Sequence, residues 1–178
     1  METAPVESAL LRRAQSGDQR AFALVIDGCY NQVFRFALNY CGQRQDAEDI
    51  TQQACIKLAK NLSSFRFESA FNTWLYRLVI NCAKDWYRQQ NRFHSDDSQK
   101  VCEEANTEGE SLVYLQQVLQ LVADMGDDFR ETLVLVAGEG FNHREAGGLL
   151  GIKESTVSWR MHQIRKRLSA LQVEEKFR

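Results

Sequence analysis

One proline, Pro5, stands in 178 residues, and only ten glycines accompany it. With so few helix breakers the chain reads as all-helical. No run of eighteen apolar residues occurs, so no membrane-spanning helix or direct membrane insertion is expected. The N-terminus lacks the charged-then-apolar order of a secretory signal, which makes a cytoplasmic location the expectation. Five cysteines (Cys29, Cys41, Cys55, Cys82, Cys102) form no C-x-x-C pair, and their odd number argues against a disulfide framework or a zinc site. Four of them fall within helical patterns, where cysteine behaves as a small buried hydrophobe. Redox or metal sensing through Cys102 with His94 is the minor alternative. The three histidines, His94, His143 and His162, have no ligand spacing with cysteine. No phosphate-cradling loop, metal cluster or nucleophile–base set is present, so no catalysis, cofactor, metal or small-molecule substrate is expected.

The overall charge of −2 conceals a division. Residues 1–94 carry 12 Lys and Arg against 9 Asp and Glu, residues 95–131 carry 2 against 10, and residues 132–178 carry 8 against 5. Two basic blocks flank an acidic middle, and nucleic-acid binding depends on local charge rather than on the total. The stretch from Ser63 to Arg92 holds seven aromatics among five basic residues. From Thr73 its apolar residues (Trp74, Leu75, Leu78, Val79, Cys82, Trp86) follow a helical stripe. The preceding residues, Ser63 to Phe71, read as a loop with exposed aromatics. Aromatic faces stack on unpaired bases while cations hold phosphates. The competing reading makes the aromatics core and the charges a solvated face.

The string FRFESAFNTWLYRLVINCAKDW resembles the promoter-melting segment of the extracytoplasmic-function (ECF) group of bacterial RNA polymerase sigma factors, in the sigma-70 family. The likeness runs over more than twenty positions. It implies a pocket for a base flipped out of the minus-ten promoter element, with Phe65, Leu78 and Asn81 around it. An extruded base costs a few kcal/mol of stacking and pairing, which such a pocket must offset. Lys84, Arg88 and Arg92 share a helix face and are expected to follow phosphates.

Ahead of this stretch, Pro5 to Ala14 is expected to form a short helix, with Asp18 capping a longer one that Gly42 ends. Gln45 to Leu62 reads as a helix capped by Asp46, with Ile50, Ala54 and Leu58 turned inward. Its outer surface gathers Asp46, Glu48, Asp49, Gln52 and Gln53. The string DAEDITQQACIKL resembles the family segment that docks on the clamp helices of the polymerase's largest subunit. Gln53 stands where glutamate is usual, which removes one charge.

Residues 95–110 are polar, acidic and unpatterned, and are read as a linker. Helical spacing returns from Ser111 to Met125, and Asp127 is expected to cap a helix running through Val136. The string FNHREAGGLLGIKESTVSWRMHQIRKRL then places a short helix, a Gly151 turn and a long amphipathic helix in sequence. That is a helix-turn-helix, whose second helix enters the DNA major groove. It resembles the family's minus-thirty-five reader. Ser158, Trp159, His162 and Gln163 are the expected base readers, and Lys153, Thr156, Arg160 and Arg165 the expected phosphate contacts. Ala146-Gly147 replaces the usual Ile-Ala, and Gly147 with Gly148 costs about 1–2 kcal/mol of helix propensity.

The expectation is therefore two small helical domains joined by an acidic flexible linker. Residues 5–94 would bind core polymerase and the minus-ten element, and residues 111–172 the minus-thirty-five element. The resemblance implies RNA polymerase core and promoter DNA as partners. It also implies an anti-sigma factor, which in this family is often attached to the inner membrane. A helix-turn-helix regulator acting without polymerase, or a purely structural helical adaptor, are the alternatives. The first would leave Asp46–Leu62 and the aromatic loop without a role, and the second would make both motifs packing.

Overall fold

A computed structural model of the chain describes residues 7–93 and 107–176, with side chains described for 7–90 and 114–170. Pro5, His94, Cys102, Arg92's side chain and most of the expected linker lie outside the described residues. Eight α-helices follow one another among the described residues: α1 (Ser8–Gln15), α2 (Gln19–Cys41), α3 (Arg44–Asn61), α4 (Phe71–Phe93), α5 (Thr107–Ala123), α6 (Asp127–Leu133), α7 (His143–Leu150) and α8 (Glu154–Lys176). None of them is long and apolar enough to cross a membrane.

The first four helices pack around α2. The Asp18 carboxylate accepts the Ala21 N–H at 3.0 Å and starts α2, while Arg13 holds the same carboxylate at 2.7 Å. Asp27-Gly28, a pair that opens hairpins elsewhere, lies inside α2 and does not break it. Val25, Cys29, Val33, Phe36 and Tyr40 recur at helical spacing and are buried against Ala47, Ile50, Ala54 and Leu58 of α3 and Leu75 and Val79 of α4. Burying a side chain of the size of Phe36 or Ile50 contributes about 1.5–3 kcal/mol. Ala47 and Ala54, the buried alanines of α3, add little bulk to this packed surface.

At Gly42 the chain leaves α2 in the left-handed conformation, φ 76°, with its N–H on the Leu38 carbonyl. A Cβ there would meet Gln116 Cγ at 3.0 Å and Leu119 Cδ1 at 3.1 Å, so α5 also seats against this corner. The next helix starts at Arg44, with Gln43 at its cap. Asp46 is therefore one turn inside and not the cap expected of it, although it still serves the positive end of the helix dipole.

Helix α5 begins at Thr107, so residues 107–110, expected in the linker, form its first turn. Gly126 precedes α6, and Asp127 occupies the first turn instead of the cap. The expected continuation through Val136 changes character at Val134, where five residues form a wider π-helical turn, closed by the Glu139 N–H on the Val134 carbonyl. Helices α5, α6 and α8 then pack on one another around Val122, Leu133, Met161 and Ile164, and α7 packs on α8. The two halves do not stand apart: Leu119, Val134, Leu135, Ala146, Leu149 and Val157 join the same buried cluster as α1–α4.

Candidate nucleic-acid interface

The aromatic loop is folded inward. A 3-10 turn, Leu62–Ser64, leads into it, and the Gln15 amide donates to the carbonyls of both Leu62 and Phe65 at 2.8 Å. Phe65 is 5% exposed, with ring centroids 4.7 Å from Phe67, 5.5 Å from Trp74 and 5.7 Å from Phe71. The Arg12 guanidinium covers Phe67 at 4.3 Å, a cation–π contact. Phe67 itself adopts φ 60°, a costly conformation for a residue with a Cβ. The expectation of exposed aromatics is thus corrected. Phe65 and Phe71 are buried, Phe67 and Trp74 are half-buried, and Arg66, Glu68, Ser69 and Ala70 are the exposed members of the loop.

Trp74 links this cluster to α4, one helical turn before Leu78. Leu78 is half-buried, and Asn81 and Arg88 are exposed. Arg77, Asn81, Lys84 and Arg88 follow one face of the helix at spacings of four, three and four. That face carries three cations and an amide, the chemistry a phosphate backbone and a base edge require. Two of the cations are engaged. Arg77 Nη2 donates to the Gly148 carbonyl at 2.8 Å, and Lys84 Nζ lies 2.7 Å from Glu131 Oε1. Burial raises the Glu131 carboxyl above its ordinary value, and the Lys84 ammonium partly offsets this.

On α3, Glu48, Asp49, Gln52 and Gln53 are exposed and Asp46 is half-buried. Arg44 Nε meets Glu48 Oε1 at 3.3 Å in an exposed pair one turn apart, worth little by itself. Ile56, 41% exposed, extends this surface by one further turn.

The turn that joins α7 to α8 is fixed by local contacts. Asn142 accepts the Glu145 N–H, Glu145 returns to the Asn142 N–H, and this capping box starts α7. Gly151 ends it at φ 69°, and Ile152 N–H returns to the Gly147 carbonyl at 3.0 Å. Gly147 has a steric reason. A Cβ there would stand 2.8 Å from the Ile152 carbonyl oxygen, so the missing side chain is what lets the turn close. The propensity cost assigned to Gly147 is therefore not idle, whereas Gly148 has open space around it.

Val157, Met161 and Ile164 are buried on the inner stripe of α8. Lys153, His162 and Arg165 are exposed, and Thr156 and Gln163 are half-buried. Trp159 is 54% exposed, with its ring 5.7 Å from that of Phe129. Ser158 Oγ lies 2.8 Å from His143 Nδ1, which couples the first residue of α7 to α8. Arg160 faces the protein. Its guanidinium meets Asp128 Oδ2 at 2.7 Å and Thr132 Oγ1 at 3.4 Å, bracing α8 on α6.

Residue patterns did not point to the polar seam between the halves. The Glu139 carboxylate is fully buried, and it accepts from Arg35 Nη2 at 2.8 Å, the Tyr76 hydroxyl at 2.9 Å and Asn39 Nδ2 at 3.0 Å. Arg130 donates to the Tyr40 carbonyl at 2.8 Å and lies 4.2 Å over the Tyr87 ring.

Residues 25–93 match the model of sigma-70 region 2. The chain is 29% identical to the RNA polymerase sigma-H factor of Pseudomonas aeruginosa, over 93% of both chains. It is likewise 29% identical to the ECF RNA polymerase sigma-E factor of Escherichia coli, over 90% of this chain and 91% of that one. The fold is shared with CnrH in the structure of its complex with the cytosolic domain of CnrY, at TM-score 0.70, 24% identity and coverage of 95% and 98%. It is also shared with the sigma factor RpoE in complex with the anti-sigma factor NepR from Bartonella quintana, at TM-score 0.66, 22% identity and coverage of 85% and 96%. Residues 25–93 thus resemble sigma-70 region 2, on the half that carries the aromatic loop, and over nine-tenths of its length the chain is similar to RNA polymerase sigma factors, among them one of the extracytoplasmic-function group.

Proposed function

We propose that the chain is an RNA polymerase sigma factor of the extracytoplasmic-function group and that it divides its work between its two halves. The exposed face of α3, with Asp46, Glu48, Asp49, Gln52 and Gln53, docks on core polymerase. The outer face of α4, with Leu78, Asn81, Lys84 and Arg88, engages the melted minus-ten element, and Phe65 supports it from beneath Trp74. The exposed side of α8 reads the minus-thirty-five duplex through Trp159, His162 and Gln163, while Lys153, Thr156 and Arg165 hold phosphates. Ser158 is tied to His143 and Arg160 to Asp128, so both take part only after exchanging those partners. The observation that carries the reading is the continuous Arg77–Asn81–Lys84–Arg88 face on the helix that also anchors the aromatic cluster. The chain acts in the cytoplasm and is held inactive by an anti-sigma factor, a reading supported by the complex of the Bartonella quintana relative with the anti-sigma factor NepR.

The test is single-round transcription with purified protein and sigma-free core polymerase on a set of candidate promoters. Core-dependent initiation is expected. Asn81→Ala should weaken strand opening, and His162→Ala with Gln163→Ala should weaken duplex binding. A wild-type protein that does not co-migrate with core polymerase would overturn the reading in favour of a helix-turn-helix regulator that needs no polymerase.

A further inference from the structure

Among the described residues Phe67 is the one non-glycine with a positive φ, at 60°. Strained backbone of this kind persists only where the surroundings fix it, and it collects at ligand clamps. Here α1 does the fixing. The Gln15 amide donates to the Leu62 and Phe65 carbonyls at 2.8 Å, and the Phe65 ring supports that of Phe67 at 4.7 Å. The Phe67 ring in turn carries the Arg12 guanidinium, 4.3 Å from its centroid. Arg12 is exposed. Its neighbour Arg13 is held by Asp18 at 2.7 Å. Among the described residues no carboxylate pairs with Arg12, nor with Arg66, the exposed cation next to Phe67.

A guanidinium is planar, weakly hydrated and suited to stacking. Phe67 closes one face of it, and the other face and the N–H edge are left to solvent. Unpaired bases stack on such planes, and the N–H edge matches a phosphate. An arginine already oriented by an aromatic ring gives up less freedom on binding.

We propose that Arg12, backed by Phe67, is a stacking platform for an unpaired base of single-stranded DNA. Arg12 makes the contact and Phe67 is its positioning residue. Ring contacts lead from this platform to α4: Phe67 meets Phe65, Phe65 meets Trp74 at 5.5 Å, and Trp74 stands one turn before Leu78. The platform therefore extends the nucleic-acid surface onto α1, a helix that carries none of the residues expected at the minus-ten element. This deepens the functional reading, because it rests on α4 and its loop facing unpaired DNA.

The experiment uses the full chain, alone and with sigma-free core polymerase. Fluorescence anisotropy at low salt measures binding to two labelled probes: a single-stranded deoxyoligonucleotide of mixed sequence, and an abasic oligonucleotide of the same length and phosphate number. The variants are Arg12→Ala, Arg12→Lys, Phe67→Leu, Phe67→Tyr and Asn81→Ala, each shown to be folded by its thermal melt. Arg12 is on the surface, so its variants do not test folding.

The wild type should prefer the mixed-sequence probe. Arg12→Ala should bind it roughly tenfold more weakly, within the range that alanine gives at a stacking position. Arg12→Lys keeps the charge and loses the plane, so it should bind the abasic probe like the wild type and the mixed-sequence probe more weakly. Phe67→Leu should show the same selective loss, and Phe67→Tyr, which keeps the ring, should not. Equal binding of both probes by the wild type, binding of neither, or Arg12→Lys behaving as the wild type on both would each overturn the proposal. If Asn81→Ala weakens binding and the Arg12 variants do not, the platform falls and the α4 reading stands. If the Arg12 variants weaken binding by a chain that does not co-migrate with core polymerase, the sigma reading falls and the platform stands.

Discussion

Arg35 and Glu139, 104 residues apart, meet at 2.8 Å, with the carboxylate sealed from solvent and half of the arginine side chain exposed to it. The carboxylate arrives there because the π-helical turn at Val134–Gly138 ends immediately before it. Three donors converge on one buried charge, so the contact is strong only while all of them are present.

Glu139→Ala leaves Tyr76 Oη, Asn39 Nδ2 and Arg35 facing a void. The cost should be about 1–3 kcal/mol, the range for buried partners left unpaired. Urea denaturation followed by circular dichroism checks it, and a loss below a few tenths would mean the seam contributes little to the folded state.

Two adjacent glycines should answer alanine with opposite signs. Gly147→Ala pushes a methyl against the Ile152 carbonyl and should destabilise by about 1–3 kcal/mol. Gly148→Ala meets open space and should stabilise by roughly 0.8–1.0 kcal/mol through helix propensity. Thermal melts of the two variants decide it, and melting points that move in the same direction would contradict the turn's geometry.

The four thiols among the described residues should be inert in the native protein. Burial pushes Cys29 and Cys41 up to about 12, and it also raises Cys55 and Cys82. A thiolate is the reactive form, so a disulfide reagent at pH 8 should modify these four slowly until denaturant is added. Mass spectrometry of the labelled peptides identifies the sites. Fast native labelling of Cys29 would show that α2 and α3 do not pack as described.

Asp18 links stability to acid. The Ala21 N–H lowers its carboxyl below the ordinary 3.8, and Arg13 lowers it further. A depressed folded value means the unfolded chain binds the proton more readily. The contribution is therefore complete above the unfolded value and is lost as pH falls through the folded one. Asp18→Asn keeps a capping side chain without the charge, so the wild type's advantage over it should shrink as pH drops below about 4. Urea midpoints measured across that range test the sign, and an advantage that grew in acid would refute it.

The helices were legible wherever a pattern is local. The Leu75–Val79–Cys82 stripe of α4 and the Asp18 cap of α2 each lie within a few residues, and the spacing alone finds them. The Gly151 turn between α7 and α8 followed for the same reason. Phe65 was misjudged as exposed because its burial depends on Gln15, fifty residues earlier, pinning the loop's carbonyls. Asp46 was misplaced by a single turn because Gln43, with no capping hydrogen bond from its side chain, occupies the position instead. Glu139, Glu131 and Arg130 carry no signal in their own neighbourhood. Their partners lie on α2 and α4, and only the packed structure brings them together.

The placement of Tyr76 and Arg77 has a genetic consequence. These neighbours sit inside the segment that resembles the promoter-melting motif, yet both bond to the other half of the molecule. Alleles along α4 should thus fall into two phenotypes from two faces of one helix. Losses at Asn81 or Arg88 should be recessive failures to initiate at any temperature. A loss confined to Tyr76, which is buried, should loosen the seam and give a temperature-sensitive allele instead.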